Sequence, residues 1–408
     1  MSRVGLVTAL LPPDVGGTQV LVWRLFQGDA EIVIVSGARG GAPSSQDGYS
    51  ALAAPTLHLP YPRLRGYRYG LAPALGALSA AWLAGALVRT IAFLKAHQVD
   101  HVVSIPHQGP FALLGLLAAR RLGLAHTLYI LDAWEEGSTG PVERALVRWG
   151  LRYAARMPRS RLAVVSPALG AHYRKAFGFR DVTWIPNPRP LPSEQLAIRP
   201  AVAPAEPFVL FTGGVKEFNI ATLRCVGRSI NRCKVIRKFL LTGHTAALED
   251  PLQPAAPGED RIEFRFCSPS EISALQRQAS VLLVASNVDD QSQTSLGYLP
   301  GRLPEYVSTR RPILLIGPQI SDAARAVRHW HLGQTTSSQD ETELAQIFDS
   351  LALQATSPPP EGVTPHDLFL EVFSREEARR RLFRETSAPL SSAAAKLAAE
   401  FELPLLRS

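Results

Sequence analysis

Short apolar, β-rich runs alternate with helix-length stretches along the whole chain, and a proline-rich segment divides the alternation in two. Before that segment the runs are VGLVTALL (4–11), EIVIVSG (31–37), DHVVSIP (100–106), HTLYILDAW (126–134) and RLAVVSP (161–167). After it they are FVLFTGG (208–214), KFLLTGH (238–244), IEFRFC (262–267), SVLLVASN (280–287) and RPILLIG (311–317). Runs that are apolar at every position belong to strands buried on both faces, and their alternation with helices selects parallel sheets covered on both sides. The spacing predicts helices near 18–27, 74–97, 110–122, 141–156, 167–177, 219–231, 268–279, 302–309, 319–329 and 340–352. A chain of 408 residues exceeds what one hydrophobic core usually serves. The expected organisation is therefore a first α/β domain over 1–185, a linker over 186–207 and a second α/β domain over 208–374. A helical segment over 375–408 is expected to pack back on the first domain.

Composition narrows the partners. Apolar residues make up 46% and charged residues 19%, which describes a folded globular chain. Cys225, Cys233 and Cys267 share no metal-ligand spacing and cannot all pair, which suits a reducing compartment. The net charge is +8, and 37 of the 43 basic residues are arginine, the side chain suited to phosphates. An arginine-rich genome would give the same excess. The charges are scattered without an aromatic-interleaved basic motif, so nucleic acid is not an expected partner.

The opening MSRVGLVTALLPPDVGG has too short an apolar part for a secretory signal, and a cytoplasmic location is expected. Gly70–Val88 carries no charge but is rich in Ala and Gly, contains Pro73 and is followed by Arg89 and Lys95. It is expected to form a buried or membrane-surface helix rather than a span. With the basic stretch YPRLRGYRYG just before it, this helix suits docking on the anionic inner face of a membrane.

In open parallel sheets, ligands bind beyond the carboxyl ends of the strands, where helix N-termini present N–H groups. Four loops occupy that position. PPDVGGTQ (12–19) offers Gly16 and Gly17 at the first strand–helix turn. FTGGVKE (211–217) offers Gly213, Gly214 and the charge of Lys216 for a diphosphate. LTGHTA (241–246) repeats the strand–glycine arrangement at Gly243. In GYLPGRLPEYVSTRRPILLIGP (297–318), Pro304 and Glu305 fall in the first turn of a short helix. A carboxylate there is favoured by the helix dipole and can accept hydrogen bonds from vicinal hydroxyls, while Arg302 can reach phosphate oxygens. Each feature also has a plain structural reading as a tight turn, a solvated lysine or a self-stabilising helix terminus.

The stretch 297–318 resembles the donor-site segment of GT-B glycosyltransferases, in particular family 4. The N-terminal Gly-Gly loop, IPNP before the linker, LFTGGVKE, RIEFRFCSPSEISALQRQASVLLVAS and YILDAWEE agree with that family in order and spacing. The resemblance implies two Rossmann-like domains facing across a crevice and retaining transfer of a sugar from a UDP- or GDP-linked donor. The acceptor would be a hydroxyl on a sugar or lipid-linked glycan, in surface polysaccharide or glycolipid synthesis. Glu305 would bind the ribose, Phe266 would lie in the stretch lining the base, and Arg302 and Lys216 would neutralise the diphosphate. No Asp-x-Asp pair is present, so no metal or other cofactor is expected.

The chain departs from the family at three places. Gly297 stands where the first of two motif glutamates is expected, eight positions before Glu305. Gly213 and Gly214 stand where an arginine often precedes the phosphate-binding lysine. The usual acceptor-loop histidine is replaced, with Asp132 or His107 as the candidates nearby. Two alternatives therefore stay open: a non-catalytic GT-B-like nucleotide-sugar-binding protein, and a nucleotide-sugar epimerase.

Overall fold

Two parallel sheets carry the chain. The computed structural model describes residues 3–12, 17–29, 31–37, 50–59, 72–106, 111–136, 141–190, 206–215, 217–243, 261–355, 362–384 and 390–407. The first sheet holds β1 (Val4–Thr8), β2 (Ile32–Ser36), β3 (Thr56–His58), β4 (His101–Ile105), β5 (Ala125–Ile130), β6 (Ser160–Val164) and β7 (Val182–Trp184), in the order β3-β2-β1-β4-β5-β6-β7. The second holds β8 (Phe208–Thr212), β9 (Lys238–Gly243), β10 (Ile262–Phe266), β11 (Val281–Ala285), β12 (Ile313–Ile316) and β13 (Gly333–Thr336), in the order β10-β9-β8-β11-β12-β13. Every pairing is parallel, with Leu6 beside Ile34 and Val103, and Leu210 beside Leu240 and Leu282. Strand order reverses at β1/β4 in one sheet and at β8/β11 in the other. Those reversals are the switch points where such sheets open a crevice.

The helices of the first domain are α1 (Gly17–Phe26), α2 (Ala72–Ala96), α3 (Phe111–Leu122), α4 (Pro141–Arg156) and α5 (Pro167–Phe177). In the second they are α6 (Glu217–Ile230), α7 (Pro269–Gln278), α8 (Gln293–Leu296), α9 (Arg302–Ser308), α10 (Asp322–His329), α11 (Glu341–Gln354) and α12 (Pro365–Val372), followed by α13 (Arg375–Phe383) and α14 (Ser392–Arg407). Local sequence fixes several boundaries. Ser166 caps α5 by accepting from the Leu169 N–H, Pro167 begins the helix, and Gly178 ends it at φ 80°, a left-handed conformation natural to glycine. Ser268 and Glu271 form a reciprocal capping box on α7.

Ten expected strands and the expected helices are present within a few residues of their ends. Three edge strands and two helices lay outside the sequence reading. β3 and β7 have three residues each, and β13 is the polar GQTT, so none carries a continuous apolar run. α8 has four residues, too few for helical periodicity, and α12 precedes the stretch expected to be helical from 375 to 402. That stretch contains α13 and most of α14.

The C-terminal helices join both sheets. α13 is polar, and arginines hold it. Arg375 and Arg379 donate to the carbonyl of Leu25 at the end of α1, where unpaired carbonyls favour cations, and Arg379 pairs with Asp29 at 2.7 Å. Phe401 of α14 packs on Trp184 of β7 and on Trp330 after α10, with ring centroids 5.2 and 4.7 Å apart. Among the described residues, no helix is long and apolar enough to cross a membrane.

Candidate active site

The second sheet's switch point is built from Gly213 upward. Gly213 follows β8 at φ 111°, a conformation L side chains rarely adopt, and its N–H donates to Thr242 of β9 at 2.8 Å. A Cβ at Gly213 would lie 2.7 Å from Nη2 of Arg302, so the guanidinium lies directly against this turn. The same guanidinium sits over the Phe211 ring at 4.6 Å, and its Nη1 is buried with no hydrogen-bond acceptor. Burial opposes its charge, but Tyr298, Tyr306 and Glu305 outweigh burial and raise its pKa above the usual arginine value. A charged, preorganised donor beside a glycine turn at a strand end has the chemistry to hold an anion.

Tyr306 fixes α9 over this turn. Its buried hydroxyl lies 3.0 Å from both the Thr212 N–H and Thr212 Oγ1, and donates to the Leu283 carbonyl at 3.3 Å. Tyr298, also buried at its hydroxyl, is within electrostatic reach of Arg302. Burial raises its pKa, the Arg302 charge opposes that, and the carboxylate of Asp132, exposed just past β5, adds to the rise.

Glu305 lies in the first turn of α9 as the sequence predicts, but its carboxylate has partners. Arg24 of α1 donates to Oε1 at 2.8 Å, and Gln276 of α7 donates to Oε2 at 3.3 Å. Arg24 is itself buried and donates to the Pro188 carbonyl at 3.5 Å. A ribose would therefore have to share or exchange these bonds. Gly17 opens α1 with open space around it, and Gly214 accepts from Asn219 at 3.2 Å. Gly243 ends β9, and Phe266 ends β10 with 54% of its surface exposed. Gly16, His107 and Lys216 lie outside the described residues.

Gly297 is packed rather than vacant. A Cβ there would lie 3.1 Å from the Gln293 carbonyl oxygen, 3.1 Å from Leu169 Cβ and 3.2 Å from Ser166 Oγ, the last two on and before α5 of the first domain. The missing glutamate thus coincides with an interdomain contact. Three more polar contacts cross the same boundary. The Ala168 N–H donates to the buried Asp322 at 2.6 Å, and Asn187 donates to the Leu299 carbonyl at 3.1 Å. Glu136 accepts from the N–H groups of Gln293 and Thr294 at 3.0 and 2.9 Å and from Thr294 Oγ1 at 2.7 Å. Its neighbour Glu135 is anchored below by His172 Nε2 at 2.6 Å and the Tyr173 hydroxyl at 2.5 Å. These two hydrogen bonds outweigh burial and hold the Glu135 carboxyl below its usual pKa.

Sequence reasoning did not single out Arg24, Glu136, Gln276, Tyr298, Tyr306 or Asp322 as contributors. A lone arginine inside LVWRLF of α1 was the one local signal, because a charge on a buried helix needs a partner. The others depend on contacts far apart in the chain.

No protein-family model and no curated protein sequence matches the chain. Solved structures do. A glycosyltransferase from Rickettsia africae ESF-5 superposes with a TM-score of 0.60 at 11% identity, covering 100% of both chains. Anabaena Alr3699/HepE, in complex with UDP, gives 0.60 at 14% identity over 94% of this chain and 99% of its own. The sucrose-phosphate synthase of Thermosynechococcus elongatus gives 0.57 at 12% identity over 100% of both. Two parallel sheets, each with its switch point, and whole-chain superposition on these proteins establish the fold: the chain is a two-domain Rossmann-like protein of the GT-B type.

Proposed function

We propose that the chain is a nucleotide-sugar-dependent glycosyltransferase that binds its donor diphosphate at the Gly213 turn. The observation that carries this reading is the Arg302 guanidinium, pressed against Gly213 with Nη1 buried and unpartnered. The fold it shares with a glycosyltransferase and with a UDP complex supports the donor class. Arg302, with Lys216 two residues past Gly214, stabilises charge on the departing diphosphate, which is the main demand of glycosyl transfer. Glu305 receives the ribose by exchanging Arg24, and Phe266 borders the base. Asp132, with His107, serves the acceptor hydroxyl from the first domain, and closure of the crevice orients it and excludes water. Fixed cationic and N–H donors make a metal unnecessary in this scheme. Retention of anomeric configuration, kinship with family 4, a lipid-linked or polysaccharide acceptor and a cytosolic, membrane-peripheral location complete the proposal.

A second reading, a nucleotide-sugar-binding protein without transfer, is favoured by the tight packing at Gly297 and the engaged Glu305 carboxylate. Thermal shift against UDP, GDP, ADP and their sugar conjugates tests both readings. One nucleotide is expected to stabilise the protein. Arg302→Ala should weaken that nucleotide about 10- to 100-fold, the scale of a hydrogen bond to a charged group. Acceptor-dependent release of the nucleoside diphosphate identifies the transferase, and binding without release identifies the second reading. No shift with any nucleotide at millimolar concentration overturns both.

A further inference from the structure

Helix α4 turns an unbalanced basic face to solvent. Arg144, Arg148, Arg152 and Arg156 recur every four residues, and all are exposed. Four-residue spacing sets them in one row about 18 Å long. Beside the row, Trp149 is 47% exposed and stacks on Tyr153, with centroids 5.3 Å apart and 15° between the planes. The opposite side of α4 is fixed to the domain by buried Val147, Leu151 and Ala154. Gly150 approaches α3 so closely that a Cβ would meet Leu113 Cδ2 at 2.2 Å.

This arrangement does nothing for the fold. Like charges at i,i+4 destabilise a helix by a few tenths of a kcal/mol per pair, whereas a merely soluble face interleaves acids. Among the described residues, none of the four arginines has an ion-pair partner. The row therefore calls for an external anion of matching extent.

The neighbouring surface indicates which anion. α3 is buried over nearly all its length, and α2 lies along its other flank, with Trp82 5.7 Å from Phe111. α2 exposes Ala84, Gly85, Val88 and Ala92, with Val88 69% exposed, flanked by exposed Arg89 and Lys95. A nucleic-acid backbone gains nothing from a strip of small apolar residues. A bilayer interface takes all three components: arginines at the headgroups, Trp149 at the boundary and shallow apolar side chains beneath.

We infer that the α4 face, continued by α2, is a docking surface for an anionic lipid bilayer. Because α4 follows the loop bearing Asp132 and Glu136, docking holds the first-domain side of the crevice near the membrane. This inference uses no feature of the donor site; it rests on the membrane-peripheral location proposed above and names the surface that would carry it.

Flotation of the full-length protein with phosphatidylcholine vesicles, with and without phosphatidylglycerol, tests it. Binding is expected only to the anionic vesicles. Each arginine near such a surface contributes about 1 kcal/mol, so Arg148→Gln with Arg152→Gln should weaken binding about thirtyfold. Brominated lipid should quench wild-type tryptophan emission, and Trp149→Phe should abolish that quenching. Unchanged melting temperature in the variants establishes that they fold, and an unchanged nucleotide shift separates this surface from the donor site. Equal binding to neutral vesicles, full binding by the double variant, or capture by oligonucleotides but not by vesicles would each overturn the inference.

Discussion

His126 is buried at the opposite strand ends from the crevice, hydrogen-bonded to Ser104 and Ser160 at 3.1 and 3.0 Å. Burial, followed by the charge of neighbouring His101, lowers its pKa to about 3, and burial with Arg161 lowers that of His101 to about 4. Unfolded histidine binds protons below about pH 6.5, where these folded residues refuse them. Stability is therefore complete above that pH and declines as the pH falls toward 4. Denaturant unfolding at pH 7 and pH 5 should show the loss, and His126→Gln should reduce the pH slope although it lowers stability overall. An unchanged slope in the variant would rule out this assignment. At the same scale, Gly213→Ala should cost both stability and nucleotide affinity, because the new methyl meets Arg302 and the backbone sits at φ 111°.

Among the elements, α8 explains the glutamate the chain lacks. Its C-terminal Gly297 meets the start of α5, and a side chain there forces the Gln293 carbonyl, Leu169 or Ser166 to move. Gly297→Glu, which restores the expected family pattern, should cost about 1–3 kcal/mol as an overpacked contact and lower the melting temperature by a few degrees. It should not raise transfer activity. A gain in turnover from this variant would show that the site accommodates the acid. The motif around Glu305 was legible in the sequence because Pro304, the acid and the following apolar strand are local features. Whether position 297 had room was not legible, since α5 lies more than a hundred residues earlier.

At the scale of the whole molecule, the two domains are held by contacts at separate places. Arg24–Glu305 and Asn187–Leu299 lie near Pro188, Asp322–Ala168 and Gly297 lie against α5, and Glu136 reaches α8. The Glu136 contact is exposed, so it is expected to open as a latch, whereas the aromatic cluster around Phe401 is buried. Glu136→Ala should speed amide exchange at Gln293 and Thr294 and raise the radius from X-ray scattering, with little change in melting temperature. Retained protection at both amides would refute the latch. Phe401→Ala should cost about 3–5 kcal/mol, typical of a buried aromatic truncation, measured by denaturant unfolding.

The sequence by itself determined the parallel sheets, most of their helices and the glycine turn after β8. Each of these follows from apolar runs, caps and backbone freedom that act within a few residues. Tertiary structure alone decided which charges meet. It set Arg302 against Gly213, gave Glu305 to Arg24, closed the space at Gly297 and turned the α4 arginines outward together. Those outcomes depend on domain placement and helix rotation, which bring together residues up to 281 positions apart that no local periodicity relates.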